Sequence, residues 1–97
     1  DYAKKIAKRV KNKVSDVGIL VCGSGTGMAM AANKYKGIRA AVCYNTRSTY
    51  LSRLHNNSNI LCIGSRLTKK DKIKKIVSYF LNTRFEGGRH KKRVKKI

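Results

Sequence analysis

The sequence predicts an α/β domain in three layers, a parallel sheet with helices on both faces. Short apolar runs of strand length stand at 17–21, 38–43 and 59–63. Between and around them lie segments whose apolar residues recur every three to four positions, the helical period. Strands that alternate with helices make βαβ units, and βαβ units make parallel sheets. Three strands form a thin sheet.

Taken in order, the chain opens with a helix from Asp1 to Lys13, apolar at Ile6, Val10 and Val14 and flanked by Ala3 and Ala7. Lys and Arg fill the positions between them, which makes the helix amphipathic. Val17 to Val21 is the first strand. It runs into Cys22-Gly-Ser-Gly-Thr-Gly27, and a helix from Ser24 to Asn33 follows with a small face of Ala29, Ala31 and Ala32. Lys36-Gly37 is a break before the second strand, Ile38 to Cys43. Asn45-Thr46 opens a helix expected to bury Tyr50, Leu51 and Leu54 and to stop near His55-Asn56-Asn57. Asn59 to Ile63 is the third strand, ending in Gly64-Ser65. Thr68 is expected to cap the next helix, with Asp71 as a capping-box acid and Ile73, Ile76, Val77 and Phe80 as its core face. Gly87-Gly88 separates that helix from a basic segment, Arg89 to Ile97.

The 97 residues suffice for one domain that buries roughly two-thirds of its unfolded surface. No apolar run approaches the roughly 20 residues of a membrane span, and no signal-peptide pattern occurs. Cys22, Cys43 and Cys62 are widely spaced within or at the ends of apolar runs. That suits reduced thiols in a cytoplasmic protein better than a disulfide framework. The formal net charge is +20. Such a balance fits nucleic acid, and it equally fits solvated helix faces. Its distribution argues against nucleic acid as the primary partner, because no basic residue occurs from Val14 to Asn33, the stretch that holds the glycine turn.

Ligands of parallel α/β sheets bind at the carboxyl ends of the strands. Here those ends are Cys22 to Gly27, Cys43 to Thr46 and Gly64 to Arg66. The glycine turn is G-x-G-x-G, and no acidic residue lies about 20 positions downstream, so a dinucleotide fold is disfavoured. It also lacks the Lys-Ser or Lys-Thr of a nucleotide-triphosphate loop. What remains is Cys22 beside hydroxyls and backbone N–H donors, either a base or nucleophile or a plain strand-end thiol. Zinc on Cys22, Cys43 and His55 would lack any close-spaced ligand pair. His55 is a proton-transfer candidate or a helix cap. Arg89 and Arg93, four apart, make a phosphate fork if helical, and otherwise a solvated basic tail.

Taken together, Cys22-Gly-Ser-Gly-Thr-Gly27, Ala31-Ala-Asn-Lys34, Gly37-Ile-Arg-Ala-Ala41, Leu51-Ser-Arg-Leu-His-Asn56 and Gly87-Gly-Arg-His90 resemble ribose-5-phosphate isomerase type B. The related galactose-6-phosphate isomerase subunits share parts of the pattern. The motifs run the length of the chain in the family's order. The resemblance implies a Rossmann-like fold and interconversion of ribose 5-phosphate and ribulose 5-phosphate through an enediol, a step of the pentose phosphate pathway, with no metal or other cofactor. It makes Cys22 the base between C2 and C1, and Ser24 with Gly23, Gly25 and Gly27 the cradle of the enediolate. His55 becomes the ring opener with Asn56 beside it, and Arg89 and Arg93 the phosphate ligands. Arg66 is a lesser phosphate candidate, and Tyr2 falls where the family has a substrate-contacting tyrosine. A homodimer or dimer of dimers with sites shared between subunits is implied.

Two departures accompany the resemblance. Ser24 stands where many members have Thr, which keeps the hydroxyl. The family's N-terminal strand, with its Asp-His-Ala-Gly motif, is absent, so the chain is expected to be about the last two-thirds of one isomerase domain. Activity is accordingly expected of the full protein. An isomerase of galactose 6-phosphate or allose 6-phosphate is the nearest alternative. A basic nucleic-acid-binding protein on the same scaffold is the alternative of another class.

Overall fold

The computed structural model describes residues 2–97; Asp1, at which the sequence starts the first helix, lies outside them. Strands β1 (Gly18–Cys22), β2 (Ala40–Val42) and β3 (Ile60–Gly64) form one parallel sheet in the order β1-β3-β2. Five helices accompany them among the described residues: α1 (Tyr2–Lys11), α2 (Thr26–Ala32), α3 (Thr46–Leu54), α4 (Lys70–Asn82) and α5 (Arg89–Lys95). The expected three-layer architecture is what forms. No helix of the described residues is long and apolar enough to cross a membrane.

Central β3 is buried along its whole length, and the two-residue period of a strand divides its side chains between two cores. Ile60 and Cys62 join Leu20, the Ala3, Ala7 and Val10 stripe of α1, and Ala29 and Ala32 of α2. Leu61 and Ile63 join Ile76 and Phe80 of α4 on the opposite face. Full burial of an Ile, Leu or Phe side chain contributes about 1.5–3 kcal/mol, so β3 with Ile76 and Phe80 anchors the fold. Small residues set the spacing of the layers. A Cβ on Gly18 would lie 2.4 Å from the Ile6 side chain, a measure of how closely α1 approaches β1.

The elements start and stop close to where the sequence places them, with instructive differences. Cys22 belongs to the strand, paired with Gly64, and α2 starts at Thr26 because Gly25 is left-handed (φ +83°) and cannot join a helix. Val17 and Ile38 lie outside the ladder yet still pack on the cores, which is why the apolar runs look longer than the strands. The Asn45 side chain accepts from the Ser48 N–H at 2.7 Å and forms a capping box at α3. That helix does not bury Tyr50, which is 41% exposed, and Leu51 and Leu54 are only half-buried. Its inward face is instead Thr49 and Ser52, whose hydroxyls donate to the carbonyls of Asn45 and Thr49 and so need no outside partner. Thr68 is no cap either. Lys69 holds the N-cap position of α4, and the Thr68 hydroxyl is turned into the protein with no hydrogen-bond partner. Asp71 does sit in the first turn of α4, where its charge complements the helix dipole.

Candidate active site

At the carboxyl edge of the sheet, Cys22 ends β1 and its thiol is part-exposed. The N–H of Gly25 points back at Sγ, 3.0 Å away. The left-handed Gly25 turns the chain so that this donor faces the sulfur. Beneath the turn the β1–β3 pairing continues into the loops: Ser65 N–H donates to the Cys22 carbonyl at 2.6 Å and Arg66 N–H to that of Gly23 at 3.1 Å. Those two bonds bring the Arg66 side chain over Gly23. A cavity of about 580 Å³ opens here, lined by Cys22, Gly23, Ser24, Gly27 and Arg66, with Ala3, Met28, Ala31 and Leu67 as its apolar wall. The other two thiols are of a different kind. Cys43 and Cys62 are buried, and burial pushes both upward, Cys62 to about 12.

Gly64 is the hidden support of this turn. A Cβ placed there would lie 2.6 Å from the carbonyl oxygen of Ser24 and 2.8 Å from its carbonyl carbon, both backbone atoms that cannot rotate away. Gly64→Ala is therefore expected to destabilise the fold by about 1–3 kcal/mol, the cost of overpacking, and to displace Ser24. Thermal unfolding together with a crystal structure of the variant checks both effects; an unmoved turn with unchanged stability would count against the assignment.

A second cluster forms where α3 ends. His55 is the C-cap of α3, its N–H bonded to the Leu51 carbonyl at 2.9 Å. Its Nε2 lies 3.8 Å from a carboxylate oxygen of Glu86, and its ring stacks on that of His90 with centroids 4.1 Å apart. Gly87 and Gly88, both with positive φ, turn the chain into α5 so that His90 faces inward while Arg89 and Arg93 stay exposed. Arg89 and Arg93 are four residues apart on that helix and share a face.

The two clusters do not meet within one chain. α3 leaves the carboxyl end of β2 and returns to the amino end of β3, so His55 lies at the edge of the sheet opposite Cys22. A five-residue strand separates the two edges by on the order of 15 Å. Cys22, Ser24, Gly23, Gly25, Gly27 and Arg66 thus form one group, and His55, Arg89 and Arg93 another. Tyr2, 74% exposed, lines a neighbouring depression with Ile6 and Val21 and stays outside the Cys22 cavity. Asn56 lines a different hollow, with Asn33 and Arg39. Sequence reasoning missed Gly64, Glu86 and His90. Glu86 carried a signal, as one of only four acidic residues in a chain with 24 basic ones.

The fold and site define a parallel α/β domain with a part-exposed thiol faced by the Gly25 N–H at its carboxyl edge, and with a histidine cluster and paired arginines elsewhere. The sequence model of the Ribose/Galactose Isomerase family matches residues 1–97, and the chain belongs to that family. It is 47% identical over 98 residues to the probable ribose-5-phosphate isomerase B of Mycoplasma genitalium, a match covering 100% of this chain and 64% of that protein. The ribose-5-phosphate isomerase B of Escherichia coli is also 47% identical, over 99% of this chain and 64% of its own length. Among solved structures, the type B ribose 5-phosphate isomerase of Trypanosoma brucei superposes with a TM-score of 0.97 at 45% identity, covering 99% of this chain and 65% of that one. The Mycoplasma genitalium enzyme, solved with bound ribulose-5-phosphate, superposes with a TM-score of 0.93 at 46% identity, over 99% and 64% of the two chains. The chain thus spans a little under two-thirds of the length of these relatives.

Proposed function

We propose that the full-length protein is an aldose–ketose isomerase that interconverts ribose 5-phosphate and ribulose 5-phosphate, a step of the pentose phosphate pathway in the cytoplasm. The 97 residues are read as one isomerase domain, the C-terminal two-thirds of the family's fold. The observation that carries the reading is the Cys22 sulfur on a substrate-sized cavity with a backbone donor aimed at it.

Ring opening comes first. His55 donates a proton to the ring oxygen as the bond from C1 to that oxygen breaks, the C1 hydroxyl loses its proton to solvent, and the C1 carbonyl forms. A Cys22 thiolate then removes the C2 proton. The C–H electron pair becomes the C1–C2 double bond, and the carbonyl pair moves onto O1. Backbone N–H groups and the Ser24 hydroxyl receive the developing oxyanion, the interaction that lowers such barriers most. The thiol returns its proton to C1 while the O2 proton passes to O1, which leaves the ketose. Arg89 and Arg93 hold the phosphate, with Arg66 as a lesser phosphate ligand; Asn56 stands beside His55, and Tyr2 contacts the substrate.

Because Cys22 and His55 lie at opposite edges of one sheet, each complete site takes its Cys22 cluster from one chain and its His55–arginine cluster from another. A homodimer, or a dimer of dimers, supplies both. A coupled assay of the full-length protein on five- and six-carbon sugar phosphates tests the reading, which turnover of only six-carbon substrates would overturn. Arg89→Ala and Arg93→Ala are each expected to raise KM about 10- to 100-fold, one charge-assisted hydrogen bond being worth about 1.5–3 kcal/mol. Their kcat is expected to change less, and an unchanged KM would remove them from the phosphate site.

A further inference from the structure

The cluster around His55 holds more than a ring opener needs. Three donor atoms, from His55, Glu86 and His90, lie within 4.8 Å of one another. Two histidines and a carboxylate suit a divalent metal in composition, but their geometry does not. The rings are stacked at an interplanar angle of 13° with centroids 4.1 Å apart. Lone pairs of stacked imidazoles lie in their ring planes and run side by side. An ion about 2.1 Å from both nitrogens would have to sit between the planes, off both lone pairs.

Stacking serves another purpose. His90 is only 6% exposed, and its Nε2 has no hydrogen-bond partner in the protein. A buried imidazole with no acceptor is poorly placed to carry a charge. Burial, followed by the neighbouring His55, moves His90 below the ordinary imidazole range. Glu86 stands on the other side of the balance. Its backbone N–H is bonded to the Leu54 carbonyl at 2.9 Å, one residue before His55, and its carboxylate lies 3.8 Å from His55 Nε2. The imidazolium form of His55, which gives up the ring-opening proton, therefore has a carboxylate beside it. Of the nearby cations, Arg53 of α3 is engaged with the Thr83 and Ser58 carbonyls and lies over Phe80. Arg89 and Arg93 of α5 oppose charge on either histidine and, on the proposed reading, are neutralised by the substrate phosphate.

We propose that Glu86 and His90 are positioning residues for His55. His90, a neutral ring set by the Gly87-Gly88 turn, fixes the plane of the His55 imidazole. Glu86 keeps the proton on Nε2, which leaves the Nδ1 proton of the imidazolium as the one given to the sugar ring. This rests on His55 being the ring opener proposed above. The pair thus extends the proton-transfer machinery from one residue to a carboxylate–imidazole–imidazole array. His90 contributes shape, and Glu86 contributes charge.

The test uses the full-length protein with Glu86→Gln, His90→Ala and His90→Phe. ¹⁵N NMR of the His55 ring, recorded without substrate, reads which nitrogen of the neutral ring keeps the proton, independently of any isomerase activity. Glu86→Gln is expected to shift the neutral His55 ring away from the Nε2–H tautomer and to lower kcat about tenfold or more with KM nearly unchanged. His90→Ala is expected to lower kcat about tenfold or more with KM nearly unchanged, as for loss of an orienting partner, and His90→Phe, which keeps the stack, to restore most of it. An unchanged His55 tautomer in Glu86→Gln, or a His90→Phe variant as impaired as His90→Ala, would overturn the proposal. So would submicromolar Zn²⁺ binding abolished by Glu86→Gln, which would make the trio a metal site. A wild-type protein without isomerase activity, in which Glu86→Gln still changes the His55 tautomer, would overturn the function and leave the pair standing.

Discussion

Cys22→Ala in the full-length protein is expected to lower kcat by about a thousandfold or more, the scale of losing a positioned base, while KM changes little. On the proposed reading, the substitution removes the base that takes the carbon-bound proton. The residue is half-buried, and what the fold loses is the single contact from the Gly25 N–H. Stability should therefore shift by only about 1 kcal/mol. Turnover in D₂O separates the chemical step from binding: the wild type is expected to place solvent deuterium on the substrate carbon, and the variant is not. Alkylation offers an independent check. Iodoacetamide is expected to modify Cys22 with loss of activity and to spare Cys43 and Cys62, which are buried and whose thiols burial pushes up. Full turnover in Cys22→Ala would remove Cys22 as the base.

Mixing two inactive variants is expected to restore activity. Cys22→Ala and His55→Ala each spoil every site of a homodimer if every site needs both residues. When subunits are exchanged at random, half of the dimers are mixed. In each mixed dimer, two-fold symmetry places both substitutions in one site and leaves the other intact. About a quarter of wild-type activity should return, from a starting level near zero. A site built within one chain would return none. The expectation comes from topology, because α3 must run back along the sheet before β3 begins.

Much of this was legible in the residues. The apolar runs located the strands because a central strand buried on both faces must be continuously apolar, and β3 is. The glycine turn was legible because glycine takes the left-handed conformation that Gly25 adopts without steric cost. Asn45-Thr46 read correctly as the opening of a helix, since the Asn side chain bonds the helix's own backbone. Thr68 read wrongly because the residue type suits a cap, while packing turned its hydroxyl inward. Tyr50 and Leu54 read wrongly as core, because hydrophobicity does not say whether neighbours arrive to cover a side chain. Gly64 was seen only as the end of a strand, and its contact with Ser24 crosses 40 residues of chain.

The sequence by itself determined the class of fold, the order of its elements and the chemistry of each motif, because these depend on local periods, on turn residues and on side-chain types. Only the tertiary structure decided which motifs meet. It joined Arg66 to the Cys22 turn through the β1–β3 register and brought Glu86 and His90 to His55 through the double-glycine turn. It also set Cys22 and His55 at opposite edges of one sheet. The reason is physical: a crossover helix carries the chain back by the length of a strand, so residues next to each other in a motif map end up a sheet apart in space.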